Sequence, residues 1–397
     1  MRVAAHVDVR YTTRSPTGVD KHIARMVHGL AARPGFEVSV VAPRGQLVGG
    51  ELPAGSSLHG LPVAPIPLSN RAGRLLWALG NRPPIDRFCP GVDWVWSPQE
   101  LWAPARHART AITVHGSTYF EPSFPGYHSA AARFERARMA WFFRRICRSA
   151  DLVLPVSHYL ERFLIDSFGL QPERSVVVGN GVDEVFFTAG DAATSSPSAG
   201  EYDADRLLVV GGLNGWDGAD SILACADALA ESIPGLGIDV IGTLDDRRSI
   251  AASERRPNLR RLGYRPPREL AVMMPGYLAL LYLPNVESFG IVALEAMAAA
   301  LPVLACRLTA VPETAGDGAW YVDERRPADV VAAVRALRAE PALRDSWVER
   351  GRRRAAGFTW EACVERLACA LQKSPCAGET RVGDTERPRM PAGGSLP

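Results

Sequence analysis

What most constrains this chain is a rhythm that runs twice. Short apolar runs alternate with longer stretches of helical periodicity, the pattern of βα units that build a parallel sheet. In the first half the strand candidates are Val3–Val9, Glu37–Val41, Trp94–Trp96, Ala111–Val114, Leu152–Val156 and Val176–Val178. Helical stretches fall at Lys21–Ala32, Ala130–Arg148 and His158–Ser167. The segment Thr188–Ala204 is small, polar and aperiodic, and reads as a linker. The rhythm then restarts, with strands at Leu207–Val210, Ile238–Ile241, Ala279–Leu283, Val303–Ala305 and Trp320–Val322. Helices are expected at Ala219–Glu231, Gly290–Ala299, Ala328–Ala339 and Glu361–Leu371.

A length of 397 residues suits two such units, and open sheets of this kind bind ligands beyond the carboxyl ends of their strands. The expected division is a first domain over 1–187, the linker over 188–204 and a second domain over 205–357. A helix over 358–373 and a polar, disordered tail over 374–397 complete it.

Several function classes drop out on composition. A net charge of +2 gives no electrostatic case for nucleic acid. No apolar run approaches the ~20 residues of a spanning helix, and MRVAAHVDV reads as a strand rather than a leader. No basic amphipathic helix with a Trp/Leu face stands out in the first half, so stable membrane association is not expected. Seven dispersed cysteines without a C-x-x-C pair suit reduced thiols and a cytoplasmic setting. All eight histidines precede residue 159, so the second half holds no His-bearing metal site. Asp203 and Asp205 have the spacing of a metal-binding pair but fall in the linker, and no metal or other cofactor is expected. Of 45 basic residues, 43 are arginine, the mark of a GC-rich coding sequence.

The most informative stretch is PNVESFGIVALEAM, from Pro284 to Met297. A strand ends, a polar Gly-bearing loop follows, and a helix begins near Gly290. Backbone amides at such a start, with the helix dipole, offer an anion site. Glu287 precedes the helix and Glu295 lies within it, so two carboxylates can address one ligand; capping by Glu287 and a solvated Glu295 is the plainer alternative. Downstream come Val311-Pro-Glu313, Gly316-Asp-Gly318 and Tyr321-Val-Asp323. Upstream stand Thr17-Gly18, Thr113-Val-His115-Gly116, Pro155-Val-Ser157, Val178-Gly-Asn180-Gly-Val-Asp183 and Leu262-Gly-Tyr264; Phe358-Thr-Trp360-Glu361 closes the set.

In their order and spacing these motifs resemble the retaining GT-B glycosyltransferases of family four. The resemblance runs from about residue 3 to residue 372. It implies an α/β fold of two Rossmann-like domains facing across a cleft. It implies transfer of a hexose from a nucleotide-sugar, UDP by family habit, to an acceptor hydroxyl. Glu287 and His115 would be catalytic. Gly18, Gly211, Gly212, Tyr264, Phe289, Gly290, Ile291 and Glu295 would bind the donor, with Glu295 on the ribose hydroxyls.

One departure stands out. Gly212 replaces an expected Arg and Asp217 an expected Lys, the two cations that neutralise the diphosphate in the family. Arg247, Arg265 and Arg307 are candidates to compensate. Asp8, Glu100 and Glu121 fall in the acceptor half and would suit a polyol or a cationic aminosugar, such as an aminocyclitol antibiotic intermediate. A cell-envelope transferase, a nucleotide-sugar epimerase or hydrolase, and a non-catalytic sugar-nucleotide-binding protein stay open beside that reading.

Overall fold

The computed structural model describes residues 1–13, 18–67, 73, 76–77, 81–122, 126–195, 205–242 and 247–373. Two six-stranded parallel sheets form its frame. The first holds β1 (Arg2–His6), β2 (Glu37–Pro43), β3 (Val63–Ile66), β4 (Trp94–Ser97), β5 (Arg109–Val114) and β6 (Leu152–Pro155) in the order β3-β2-β1-β4-β5-β6. The second holds β7 (Arg206–Gly211), β8 (Gly237–Gly242), β9 (Leu259–Gly263), β10 (Ala279–Tyr282), β11 (Val303–Ala305) and β12 (Ala319–Tyr321) in the order β12-β11-β10-β7-β8-β9. Counted within each half, both are the doubly wound 3-2-1-4-5-6 arrangement of a Rossmann-like domain. The strand order reverses between β1 and β4 in one sheet and between β7 and β10 in the other. Those two points are where a ligand crevice belongs.

The strands are Val-, Leu-, Ile- and Ala-rich because helices cover both faces. Trp94 and Trp96 lie fully buried in the first core, their indole N–H groups donating to the Leu371 carbonyl and to Thr113 Oγ1. The Trp360–Lys373 helix belongs to that same core, although it is last in sequence. It packs against the Gly18–Ala31 helix, where a Cβ on Gly29 would stand 2.4 Å from Val364. Only glycine permits that approach.

Five sequence expectations need correction. The strands β3 and β9 were not anticipated. Val176–Val178 forms no ladder; it lies extended beside β6, Val176 and Val178 donating to the Val153 and Pro155 carbonyls. Thr188–Ser195, taken as linker, continues the Glu184–Ser195 helix, while 196–204 and the tail lie outside the described residues. The small residues there serve packing: a Cβ on Gly190 would stand 2.1 Å from the Ala298 carbonyl. The run Arg352–Arg354 reads in the sequence as a solvated helix end, yet Arg354 is tied down, donating to the Thr314 and Glu313 carbonyls. Finally, the Ala130–Ser149 helix is basic and amphipathic after all. It carries six arginines and leaves Phe134 and Trp141 exposed, a face hidden in the sequence because charged and aromatic residues interleave.

Candidate functional site

Loops at the carboxyl ends of the two sheets meet. A Cβ on Gly116, just beyond β5, would lie 3.4 Å from Ser288 Oγ in the loop after β10. A Cβ on Gly18, at the start of its helix, would lie 3.9 Å from Ile291. Lys21, one turn further on, forms an ion pair with Glu295, and both side chains are largely buried. The neighbouring Thr17 lies outside the described residues.

Glu287 is fully engaged. Its Oε1 accepts from the amides of Ser288 at 2.9 Å and Phe289 at 3.0 Å, and its Oε2 from Tyr282 Oη at 2.5 Å. Burial first, then the Glu287 charge, pushes the Tyr282 phenol well above its ordinary range, so Tyr282 remains a donor. This geometry alters one expectation. The Phe289 amide, assigned to a diphosphate, serves Glu287 here. Gly290, at φ +96°, and Ile291 open the Ile291–Ala298 helix, whose first amides have no partner within the helix.

Glu295 is only 2% exposed. Burial raises its pKa, with the Lys21 charge and hydrogen bond opposing that rise. It is therefore not the solvated face that helical spacing alone allows.

On the other side, the His115 amide donates to Glu100 Oε1 at 2.6 Å, and its Nε2 lies 2.9 Å from the Pro98 carbonyl. A carbonyl can only accept, so Nε2 carries a proton, and in the neutral ring Nδ1 is the acceptor. His22, unnoticed in the sequence, lies edge-on to His115 with ring centroids 4.7 Å apart. Its Nδ1 pairs with Asn180 Oδ1 at 2.8 Å, and its buried Nε2 has no partner among the described residues. Burial, then the neighbouring His115, drives the His22 pKa well below the ordinary histidine value.

The three acids assigned to an acceptor are otherwise occupied. Asp8 accepts from Arg10 at 2.9 and 2.6 Å and from Gln46 at 2.9 Å. Burial opposes its charge, but those partners outweigh it and hold its pKa low. Glu100 holds the His115 turn, and Glu121 accepts from Ser117 and Tyr159. None of the three is left unpaired to meet a cationic acceptor.

The compensating arginines do not gather either. Arg307 stacks over Tyr321 at 3.9 Å, Arg265 donates to its neighbour's carbonyl, and Arg247 is exposed. Asp217 accepts from Asn214 and lies against the Gly211 backbone, in a loop that Asn285 ties to the Glu287 loop. Tyr264 stands partly exposed beyond β9. Just past it, Pro266 and Arg268 join Lys21, Arg25, Asp183 and Trp360 around an interdomain cavity of about 1150 Å³. Further along the interface Glu313 accepts the His158 and Tyr159 amides at 2.7 and 2.8 Å, capping a helix of the first half from the second. No cluster of three potential metal ligands occurs among the described residues.

Comparison with known proteins agrees with this architecture. Residues 16–186 match Glycosyltransferase Family 4, and residues 194–354 match Glycosyl transferases group 1. The chain belongs to the GT-B glycosyltransferases of this family 4 and group 1 type. Among curated relatives, it is 31% identical over 242 residues to a D-inositol 3-phosphate glycosyltransferase of Geodermatophilus obscurus, covering 57% of this chain and 53% of the relative. It is 32% identical over 217 residues to the protein of that name from Frankia alni, covering 50% and 53%. The chain thus spans about half the length of the curated relatives it matches. Similar solved structures include sucrose-phosphate synthase from Thermosynechococcus elongatus (TM-score 0.69, 16% identity, 94% of this chain and 98% of that one). Another is WaaG, a glycosyltransferase involved in lipopolysaccharide biosynthesis (0.66, 19%, 94% and 100%). At such identities the likeness is one of fold.

Proposed function

We propose that this chain transfers a sugar from a nucleotide-sugar to an acceptor hydroxyl with retention of configuration. The observation that carries the reading is the meeting of the Glu287–Ile291 loop and the His115-Gly116 turn at the carboxyl ends of the two sheets. The diphosphate of the donor lies at the Gly290 and Ile291 amides, where the helix dipole favours negative charge. Glu287, fixed by Tyr282 and two amides, presents its charge beside the reacting sugar. The His115 Nδ1 lone pair accepts a hydroxyl proton's hydrogen bond, and Glu295 accepts from the ribose. As the glycosidic bond to phosphate breaks, charge developing on the leaving group meets preorganised amides, and the acceptor oxygen attacks from the same face, its hydroxyl proton passing to the departing phosphate oxygen.

UDP is the nucleotide of first choice, and solved relatives of this fold include Anabaena HepE in complex with UDP and glucose. For the acceptor, a neutral cyclitol or other small polyol fits better than a cation, because Asp8, Glu100 and Glu121 are already paired. The named substrate of the curated relatives is itself a cyclitol phosphate. A second reading, an acceptor presented at a membrane surface, is favoured by exposed Phe134 and Trp141 on an arginine-rich helix. No helix among the described residues is long and apolar enough to cross a membrane.

The test offers UDP-, GDP- and dTDP-sugars with inositol, inositol phosphate, an aminocyclitol and a lipid-linked acceptor in vesicles. Products are read by mass spectrometry, and their anomeric configuration by NMR. A glycosylated cyclitol with the donor's configuration is expected. An inverted product, free sugar alone or no turnover at all overturns the reading, and transfer only to the lipid selects the second.

A further inference from the structure

The donor side of the cleft is short of positive charge. Glu287, Glu295 and Asp217 gather around the β7 and β10 loops, Gly212 is neutral, and Arg247, Arg265 and Arg307 are directed elsewhere or exposed. A nucleoside diphosphate placed there adds further negative charge. The first half supplies a cation across the gap. Lys21 lies on the second turn of the Gly18–Ala31 helix, its side chain 13% exposed, against Glu295 and over the Phe186 ring at 5.6 Å.

The residue type is informative. A chain that spells 43 of 45 cations as arginine places a lysine here, and its only other one is Lys373, the last residue of the final helix. An ammonium is a compact point charge with three rotatable donors, where a guanidinium is a wide planar fork. One donor goes to Glu295 Oε1 and two more remain among the described residues, on a helix whose start meets the donor loop, where a Cβ on Gly18 would lie 3.9 Å from Ile291. Glu295 thus holds the ammonium in place before any ligand arrives.

We propose that Lys21 is a donor-binding residue whose ammonium, anchored by Glu295, takes the diphosphate charge that Gly212 and Asp217 leave unmet. The inference rests on the nucleotide-sugar reading above and adds that the cation comes from the opposite domain. Tight binding of the diphosphate then requires both halves, where nucleoside binding requires the second half and Glu295.

Calorimetry and ligand-observed NMR with UDP, GDP, ADP and dTDP, each beside its own nucleoside, test this. Wild type is compared with Lys21→Met, Lys21→Arg, Glu295→Gln and the double variant Lys21→Met/Glu295→Gln. The double variant leaves no buried charge unpaired, so its melting temperature guards against simple misfolding. Lys21→Met, alone and in the double variant, is expected to lose about tenfold or more in diphosphate affinity relative to nucleoside affinity, with a flatter salt dependence. Lys21→Arg keeps part of the preference. Glu295→Gln weakens nucleoside binding and, by loosening the ammonium, lowers the diphosphate-to-nucleoside ratio less than Lys21→Met does. A wild-type ratio in the folded double variant overturns the proposal, as does an equal loss for nucleoside and diphosphate in Lys21→Met. If wild type binds none of the four diphosphates, the nucleotide-sugar reading itself fails, a result separate from the other two.

Discussion

The two halves share one strand order, yet the carboxyl ends of their sheets carry different chemistry. The first presents imidazoles and an ammonium, His115, His22 and Lys21. The second presents carboxylates and a helix start, Glu287, Glu295 and the Gly290–Ile291 amides. A duplicated scaffold therefore does not duplicate the site. Each half is electrostatically incomplete, and the contacts at Gly116–Ser288, Gly18–Ile291 and Lys21–Glu295 join the complementary parts.

The sharpest break in that division is Glu287→Gln. It preserves shape and an oxygen for the Ser288 and Phe289 amides while removing the charge and the acceptor that Tyr282 uses, so turnover should fall by ~3 kcal/mol or more in activation free energy. Steady-state rates measure this, and a loss below threefold would place the reacting charge elsewhere.

A smaller effect belongs to the histidine side. Because His22 binds its proton far less readily when folded than when unfolded, protonation favours the unfolded chain. Stability should hold above pH ~6.5 and decline below it, by up to about 1.4 kcal/mol per pH unit. Melting temperatures between pH 7.5 and 5.5 should show the decline, reduced by one proton's worth in His22→Gln. Parallel curves would show that His22 is protonated as easily in the fold as outside it.

Restoring the two family cations probes the comparison more gently. Gly212→Arg with Asp217→Lys breaks the Asn214–Asp217 contact and sets new charge where Lys21 already serves. UDP affinity and transfer rate should stay flat or fall. A gain above tenfold in both would mean that the second half was simply lacking cations. The smallest expected effect is that of EDTA, since amides and Lys21 carry the leaving group. Turnover abolished by chelation and restored by Mg²⁺ or Mn²⁺ would reveal a metal that the residue pattern does not announce.

What could be read in advance divides by distance along the chain. The loop after β10 was legible because Glu287, Phe289, Gly290 and Glu295 sit within one strand–loop–helix unit whose local periodicity is strong. The Lys21–Glu295 and His22–Asn180 contacts were not, since their partners lie 274 and 158 residues apart and neither end carries a local signal. The strands β3 and β9 escaped because both are edge strands, one containing Pro65 and the other Arg260 and Arg261, which a central strand would exclude. The misread linker is instructive in the opposite way. Ala189, Gly190, Ala192 and Ala193 look like chain without a core, yet small side chains are what let one backbone lie against another. The acids Asp8, Glu100 and Glu121 can be read in the sequence as belonging to the first half, but only the fold reveals that each already has a partner.

The Trp360–Lys373 helix has a consequence for biosynthesis. Trp360, Cys363, Val364, Leu367 and Leu371 fill the same core as Val3, Trp94 and Trp96. On the ribosome, the first sheet is translated early but must wait, with part of its apolar surface uncovered, until the whole second sheet has emerged. Its maturation thus waits on codons read after those of the whole second sheet, and a nascent chain stalled before residue 360 would expose a half-closed core to chaperones or to aggregation.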